Sequence, residues 1–174
     1  MSSSVSYPST PPPQETPAPP PTPATPSSSL VKFTLIERKG DLFAKAPLTD
    51  ALAHCVSQDL RMGKGIAEIF KRKYGRVKEL KDQKRKVGQV AYLQHENRYV
   101  FYIITKKIVY DKPTEDDFEK SLVELRRMCD QFGVKGLSIP QIGTGLDELS
   151  LEFVKGAINK AFEGSTIKVT MFSL

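Results

Sequence analysis

A three-layer α/β/α sandwich with a mixed central sheet, preceded by a disordered Pro/Ser/Thr-rich tail, is the architecture this sequence predicts. Three observations lead there. Residues 1–30 hold 10 of the 13 prolines and a single charged side chain, Glu15. Such a segment has almost nothing apolar to bury against the entropy of ordering. From Val31 onward, β-patterned runs alternate with amphipathic helical runs, the order that builds a sheet covered by helices. Residues 31–174 are also long enough to form one core of ordinary domain size.

The elements come in chain order. "VKFTLIE" (31–37) alternates and reads as a first strand. "LAHCVS" (52–57), mostly apolar and bounded by polar residues, reads as a second. "GIAEIFKRKYG" (65–75) brings Ile66, Ile69, Phe70 and Tyr74 to one helical face, and Gly75 suits its end. "QVAYLQHENRYVFYIIT" (89–105) predicts two strands joined by a turn around His95–Asn97. After Pro113 comes the clearest helix, with Thr114 as cap, acids in the first turn, a stripe of Phe118, Leu122, Leu125 and Met128, and Gly133 as stop. "GLSIP" (136–140) is a short strand, 147–164 a second amphipathic helix, and "TIKVTMFSL" (166–174) a final strand.

Composition narrows the function classes. The chain carries a net charge of +6 with 39% hydrophobic residues, and no stretch nears the ~20 apolar residues of a membrane span. The tail lacks the basic start and apolar run of a signal peptide. It reads as flexible, with docking to an SH3- or WW-type partner as the lesser reading. Cys55 and Cys129 lie in apolar segments without CxxC spacing, as expected of a reduced, intracellular protein of the nucleus, the cytoplasm or both. With two histidines and no acidic cluster of ligand spacing, neither a metal nor a resident cofactor is expected. His54, within an apolar strand, is expected to be a hydrogen-bonded core residue, and His95 to belong to an exposed turn. Residues 71–86, "KRKYGRVKELKDQKRK", have only Glu79 and Asp82 to offset many Lys and Arg. They form either a solvated helical face or a contact for nucleic acid or another polyanion. A monomer is expected.

In open α/β sheets, ligands bind beyond the carboxyl ends of the strands. The segments just after the strands are "KGDLF", "SQDLRMGKG", "TKK" and "PQIGTGLD". Gly63 and Gly65 directly precede a helix, and Gly143 and Gly145 flank Thr144 in a second strand-to-helix loop. Glycines there let backbone approach a phosphate, and a helix start supplies free N–H groups. Two such loops point to a diphosphate ligand, and neither matches GxGxxG or the P-loop pattern. Asp41 could accept from a base amino group or simply cap a turn. Of the two lysines in "ITKK", strand alternation places Lys106 on the face of Val100, Tyr102 and Ile104, and Lys107 on the other.

Taken together, "KGDLF", "LAHCVS", "RMGKGIAEIFKRKYG", "ITKK", "IPQIGTGLDEL" and "IKVTMFSL" resemble the macrodomain family, and within it the terminal ADP-ribose protein glycohydrolase branch. The resemblance spans 31–174 in order. It implies a hydrolase that removes terminal ADP-ribose from acidic residues of proteins, an ester bond, and that also deacylates O-acyl-ADP-ribose such as O-acetyl-ADP-ribose. It implies Lys106 and Asp147 as catalytic pair, with Lys106 the nucleophile and Asp147 a general base. An amine is nucleophilic only when deprotonated, a form that an apolar surround favours. The implied ADP-ribose contacts are Asp41 and Leu42 at the adenine, and Ser57, Gly63, Gly65 and Ile66 along ribose and diphosphate. Gly143, Thr144, Gly145 and Leu146 would cradle the phosphates from the other side, Thr105, Pro140 and Ile142 would line the path, and Leu174 would close a wall. Lys64 stands between the glycines where relatives commonly have a small residue. The segment also lacks the asparagine of many other macrodomains, so a mechanism resting on that residue does not transfer. Rival readings within the fold are a non-catalytic reader of ADP-ribose or poly(ADP-ribose), with 71–86 contacting the polymer, and an ADP-ribose 1″-phosphate phosphatase. The implied partners are ADP-ribose itself and mono- or poly-ADP-ribosylated proteins.

Overall fold

The computed structural model describes residues 32–174, except the side chain of Leu146. The expected tail, residues 1–30, lies outside the described residues. Phe33–Leu174 form one compact unit.

The strands are β1 (Ile36–Lys39), β2 (Ala51–Ser57), β3 (Val90–His95), β4 (Arg98–Lys106), β5 (Gly136–Pro140) and β6 (Lys168–Ser173). They form one sheet in the order β1-β6-β5-β2-β4-β3. Only the β3–β4 hairpin is antiparallel, so the sheet is mixed. The helices are α1 (Leu42–Lys45), α2 (Gly65–Tyr74), α3 (Val77–Asp82), α4 (Glu115–Gln131) and α5 (Leu151–Ala161).

Alternation along the central strands separates two cores. Phe101 and Ile103 of β4 face a cluster with Phe118, Leu122 and Leu125 of α4 and Val154 and Ile158 of α5. Val100, Tyr102 and Ile104 face the opposite cluster, with Leu42 of α1, Phe70 of α2 and Leu80 of α3. The residues alternate because successive side chains leave a strand on opposite sides. Both faces of β2 and β4 are therefore covered, which is why these strands read as nearly continuous apolar runs. Among the described residues, no helix is long and apolar enough to cross a membrane.

Several expected caps are present. Thr114 accepts the Asp117 N–H at 3.0 Å to start α4, and Gly75, at φ +55, ends α2. Two boundaries differ clearly. Pairing in β1 begins at Ile36, not Val31, because its β6 partners are Thr170 to Ser173. Phe33 and Leu35 produce the alternation upstream by packing against the first core without belonging to the strand. The helix expected over 147–164 begins at Leu151, where Ser150 caps Phe153 N–H at 3.0 Å. A separate 3-10 turn, Gly145–Asp147, precedes it, and Glu148 at φ +63 breaks the two apart. The short helices α1 and α3 were not expected. Each is anchored by one buried leucine, Leu42 or Leu80, too little periodicity for a sequence pattern to register.

Candidate active site

The order β5-β2-β4 brings three parallel strands side by side, and chain direction reverses its march across the sheet between β5 and β2. That is the topological switch point at which α/β sheets open a crevice. A cavity of about 540 Å³ lies there. Ser57, Lys106 and Pro140, the last residues of those strands, all line it.

The loop after β2 forms one wall. Its backbone is tied to the next strand by Gln58 N–H donating to Lys106 O at 2.8 Å and Asp59 N–H to Lys107 O at 3.2 Å. The Ser57 hydroxyl donates to the Asp59 carboxylate, which also accepts from Arg61 N–H. The loop then enters α2 at Gly65, whose φ of +61 suits a residue without a side chain. Lys64 stands at the cap position but makes no side-chain cap bond, so the first N–H groups of α2 keep their capacity for an anion. Gly63, Lys64, Gly65, Ile66 and Ala67 line the cavity.

The loop after β5 forms the facing wall and bonds to itself. Ile142 N–H donates to Pro140 O at 2.8 Å, Leu149 N–H to Gly143 O at 2.8 Å, and the Thr144 hydroxyl to Gln141 O at 2.9 Å. Asp147, in the 3-10 turn, is carried back over the cavity. Its Oδ1 lies 2.6 Å from Lys106 Nζ, and the two side chains are only 11% and 12% exposed.

Lys106 does not reach this place by simple alternation. Val56 pairs with Ile104, but Ser57 pairs with Lys106, so Thr105 is an extra residue on β4. A bulge of this kind re-aims the side chains beyond it, and counting by twos from Tyr102 no longer assigns Lys106 a face. The alternation that placed Lys106 with Val100, Tyr102 and Ile104 is interrupted there. Thr105 itself is buried, with its hydroxyl unpartnered. Lys107 is exposed, as expected.

Electrostatics leaves few candidates for a nucleophile. Cys55 lines the cavity, but burial pushes its thiol up, and the Asp147 carboxylate adds to this against the opposing Lys106 charge. Burial likewise raises the Tyr102 hydroxyl. His54 is fully buried, and burial lowers it to about 3. The expected core histidine is confirmed, but its hydrogen bonds are not, since neither ring nitrogen has a partner. It is held by stacking on Phe70, with ring centroids 3.8 Å apart, and by an edge contact with Tyr102. A neutral imidazole stacks without the cost of burying a charge. Lys64, Lys106 and Lys112 all line the cavity, and of these Lys106 is the one in contact with Asp147.

Of the residues expected at the site, the cavity gathers Ser57, Gly63, Gly65, Ile66, Lys106, Pro140, Ile142, Gly143, Thr144 and Asp147. It does not include the others. Asp41 caps α1 by accepting from Phe43 N–H at 3.4 Å, and Leu42 is buried in the core. Gly145 lies in the adjacent turn, the Leu146 side chain is outside the described residues, and Leu174 is 94% exposed. Residues not foreseen include Cys55, Met62, Arg61, Tyr110 and Lys112. Cys55 was foreseeable, since it belongs to a strand that ends in the site. Tyr110 stands in the loop after Lys106, where a large apolar run, "IVY", continues past the end of pairing.

No protein-family model matches the chain. Over 136 residues it is 50% identical to the ADP-ribose glycohydrolase OARD1 of Homo sapiens, covering 78% of this chain and 89% of that protein. It is 48% identical to the same enzyme of Bos taurus over an equal span. Among solved structures, the macrodomain of Thermus aquaticus DarG superposes with a TM-score of 0.71 at 25% identity, covering 81% of this chain and 98% of that one. Thermosipho africanus DarTG in complex with ADP-ribose superposes with a TM-score of 0.68 at 19% identity, covering 80% of this chain and 42% of that one. At that identity the likeness speaks for the fold.

Proposed function

The chain belongs to the macrodomain family and to its terminal ADP-ribose glycohydrolase branch, and on that premise we propose how its residues do the work. It is an ADP-ribose-binding hydrolase that removes terminal ADP-ribose. The bond cleaved is an ester between the distal ribose and an aspartate or glutamate side chain of a protein, and Lys106 is the nucleophile. One observation carries this reading: Lys106 Nζ and Asp147 Oδ1 meet at 2.6 Å, nearly buried, at the mouth of three parallel strands.

ADP-ribose lies between the two glycine loops, with its diphosphate toward the start of α2 and toward Gly143 and Thr144. Ser57 and Ile66 line the path of the chain toward the distal ribose. Attack needs the Lys106 amine in its neutral form, its proton having gone to solvent, which leaves Asp147 ionised for the later step. The amine then attacks C1″ of the distal ribose. A C1″–N bond forms, the C1″–O bond to the acyl group breaks, and its electron pair leaves with the protein carboxylate. Ring opening gives a lysyl adduct at C1″. Asp147 takes a proton from water as it adds to that carbon, and collapse returns the amine and free ADP-ribose. The same sequence cleaves an acyl group as small as acetate, so O-acetyl-ADP-ribose is a second substrate class. A non-catalytic reader has no use for a nearly buried amine and carboxylate in contact, which favours the hydrolytic reading.

The test uses ADP-ribose ester-linked to a glutamate peptide. Lys106→Ala is expected to bind ADP-ribose with near wild-type affinity and to lower release by at least about a thousandfold. Asp147→Ala is expected to accumulate an adduct, read as a mass increase on Lys106. Normal turnover by Lys106→Ala would end the nucleophile assignment.

A further inference from the structure

The loop joining β4 to α4 follows Lys106, and its Val109, Tyr110 and Lys112 line the cavity. Its conformation is built in. Asp111 N–H donates to Ile108 O at 3.0 Å, closing a turn, and the Asp111 carboxylate accepts from Ile108 N–H at 3.4 Å. Asp59 N–H holds Lys107 O from the other side. Lys112 is paired with Glu148 at 3.0 Å, which ties the loop to the wall carrying Asp147. On this braced turn stand two large apolar side chains that the fold leaves outside, Ile108 and Tyr110, the latter 74% exposed. The Arg61 guanidinium lies 5.8 Å from the Tyr110 ring centroid and bridges the turn to the wall before α2. Lys64 is exposed where it lines the cavity, and Lys107 is exposed next to Lys106 in the chain.

We propose that Lys107, Ile108 and Tyr110 form the docking face for the polypeptide that bears the ADP-ribose, and that this polypeptide is an acidic segment. The proposal rests on the hydrolytic reading of Lys106 and deepens it by naming the acceptor side. Three facts converge. Lys107 and Ile108 directly follow the reacting amine in the chain, and Tyr110 of the same turn lines the cavity that holds it. Exposed aromatic and aliphatic side chains on a fixed turn supply contact area at small entropic cost. Arg61, Lys64 and Lys107 complement the negative charge of a segment rich in the carboxylates that accept the modification, and charge complementarity of this kind selects partners. A nucleic-acid end would offer negative charge as well, but it makes less use of Ile108.

The experiment compares two substrates of the full chain that differ only in leaving group, an ADP-ribosylated acidic peptide and O-acetyl-ADP-ribose. The variant Lys107→Glu/Ile108→Asp touches neither the cavity nor the bonds that fix the turn. It is expected to lower kcat/KM on the peptide by about tenfold or more and to change O-acetyl-ADP-ribose turnover by less than about twofold. Binding to Lys106→Ala protein gives a second readout, since the modified peptide should bind tighter than ADP-ribose and lose that excess on the double change. Equal effects on both substrates, or no effect on the peptide, would overturn the docking face. So would an ADP-ribosylated oligonucleotide that shows the same excess and the same loss. Failure of wild-type protein to cleave either substrate would instead count against the lysine mechanism, and the binding comparison would still decide the docking face.

Discussion

Gly143 and Gly63 stand on facing walls of one cavity and are glycine for different reasons. A Cβ at Gly143 would lie 2.8 Å from Phe118 Cε1 and 3.1 Å from Leu149 Cδ1, and the backbone there has φ +76. A Cβ at Gly63 would meet nothing within 4 Å, and its φ is not in the positive range. The loop after β5 is thus a packed part of the core that also faces the ligand. The loop after β2 is open, and its lack of a side chain has meaning only when a ligand arrives. One residue type in two similar sequence settings serves folding in one wall and, on the proposed reading, recognition in the other.

The largest effect that separates the walls is expected at Gly143. Gly143→Ala forces the Phe118 ring and Leu149 to move and adds left-handed strain, together costing about 3 kcal/mol. The denaturant midpoint should fall with the slope unchanged, and a wild-type midpoint would show that the second wall can yield.

The next effect belongs to the first wall. His54 stacks on Phe70 of α2, the helix that the loop after β2 enters. In the unfolded chain its imidazole protonates near pH 6.5, but in the folded protein only near pH 3. Between these values the unfolded state binds more protons, so stability is full above pH 6.5 and falls as pH drops. From pH 7 to pH 5 the loss from this group is about 2 kcal/mol. Comparing wild type with His54→Leu at the two pH values isolates it, and an equal acid loss in both proteins would remove His54 as its source.

The smallest effects on stability, and the sharpest on recognition, are expected at the open glycines. Gly65→Ala meets no neighbour but must hold φ +61, costing about 1 kcal/mol. Gly63→Ala should leave stability within about 0.5 kcal/mol of wild type. Both should weaken ADP-ribose binding by about tenfold, since a methyl group takes the space of the diphosphate. Calorimetric titration checks this, and unchanged affinity for Gly63→Ala would dissolve the contrast between the walls.

The sequence was informative wherever one residue type has one physical use. Thr114 before a run of acids could only start a helix, and the apolar β4 had to be covered on both faces. It was silent where the outcome depends on partners distant in the chain. Nothing in "VKFTLIE" tells that strand pairing waits for Ile36, because that boundary is set by β6. Nothing in "RYVFYIITKK" reveals the bulge, because the register belongs to β2. The resemblance led to Lys106 and Asp147, and the face count offered in support of Lys106 rested on an unbroken strand that the protein does not have. Asp41, Leu42 and Leu174, expected from the resemblance alone, stand outside the cavity. Tyr110 was overlooked because loop residues carry no periodicity to mark them.

Residues 71–86 show how pairing divides a charged run. Arg76 is clasped by Glu79 and by Gln94 O, and Lys78 meets Asp82 at 3.0 Å, while Lys81, Lys84 and Lys86 remain exposed around a separate cavity. These contacts account for the segment as a helical surface, and a role toward a polyanion remains a proposal that salt-dependent binding would test.

The extra residue at Thr105 has a consequence for how such a protein can change. A regular strand inherits the direction of every side chain from its neighbour, so chemistry on it survives only while the count is kept. Here the amine is set by a flaw in the weave. A deletion that restored unbroken pairing would leave the residues before Thr105 in their present register with β2. On the proposed mechanism the Lys106 amine would then lose its place beside Asp147, and mending the strand would cost the protein its activity.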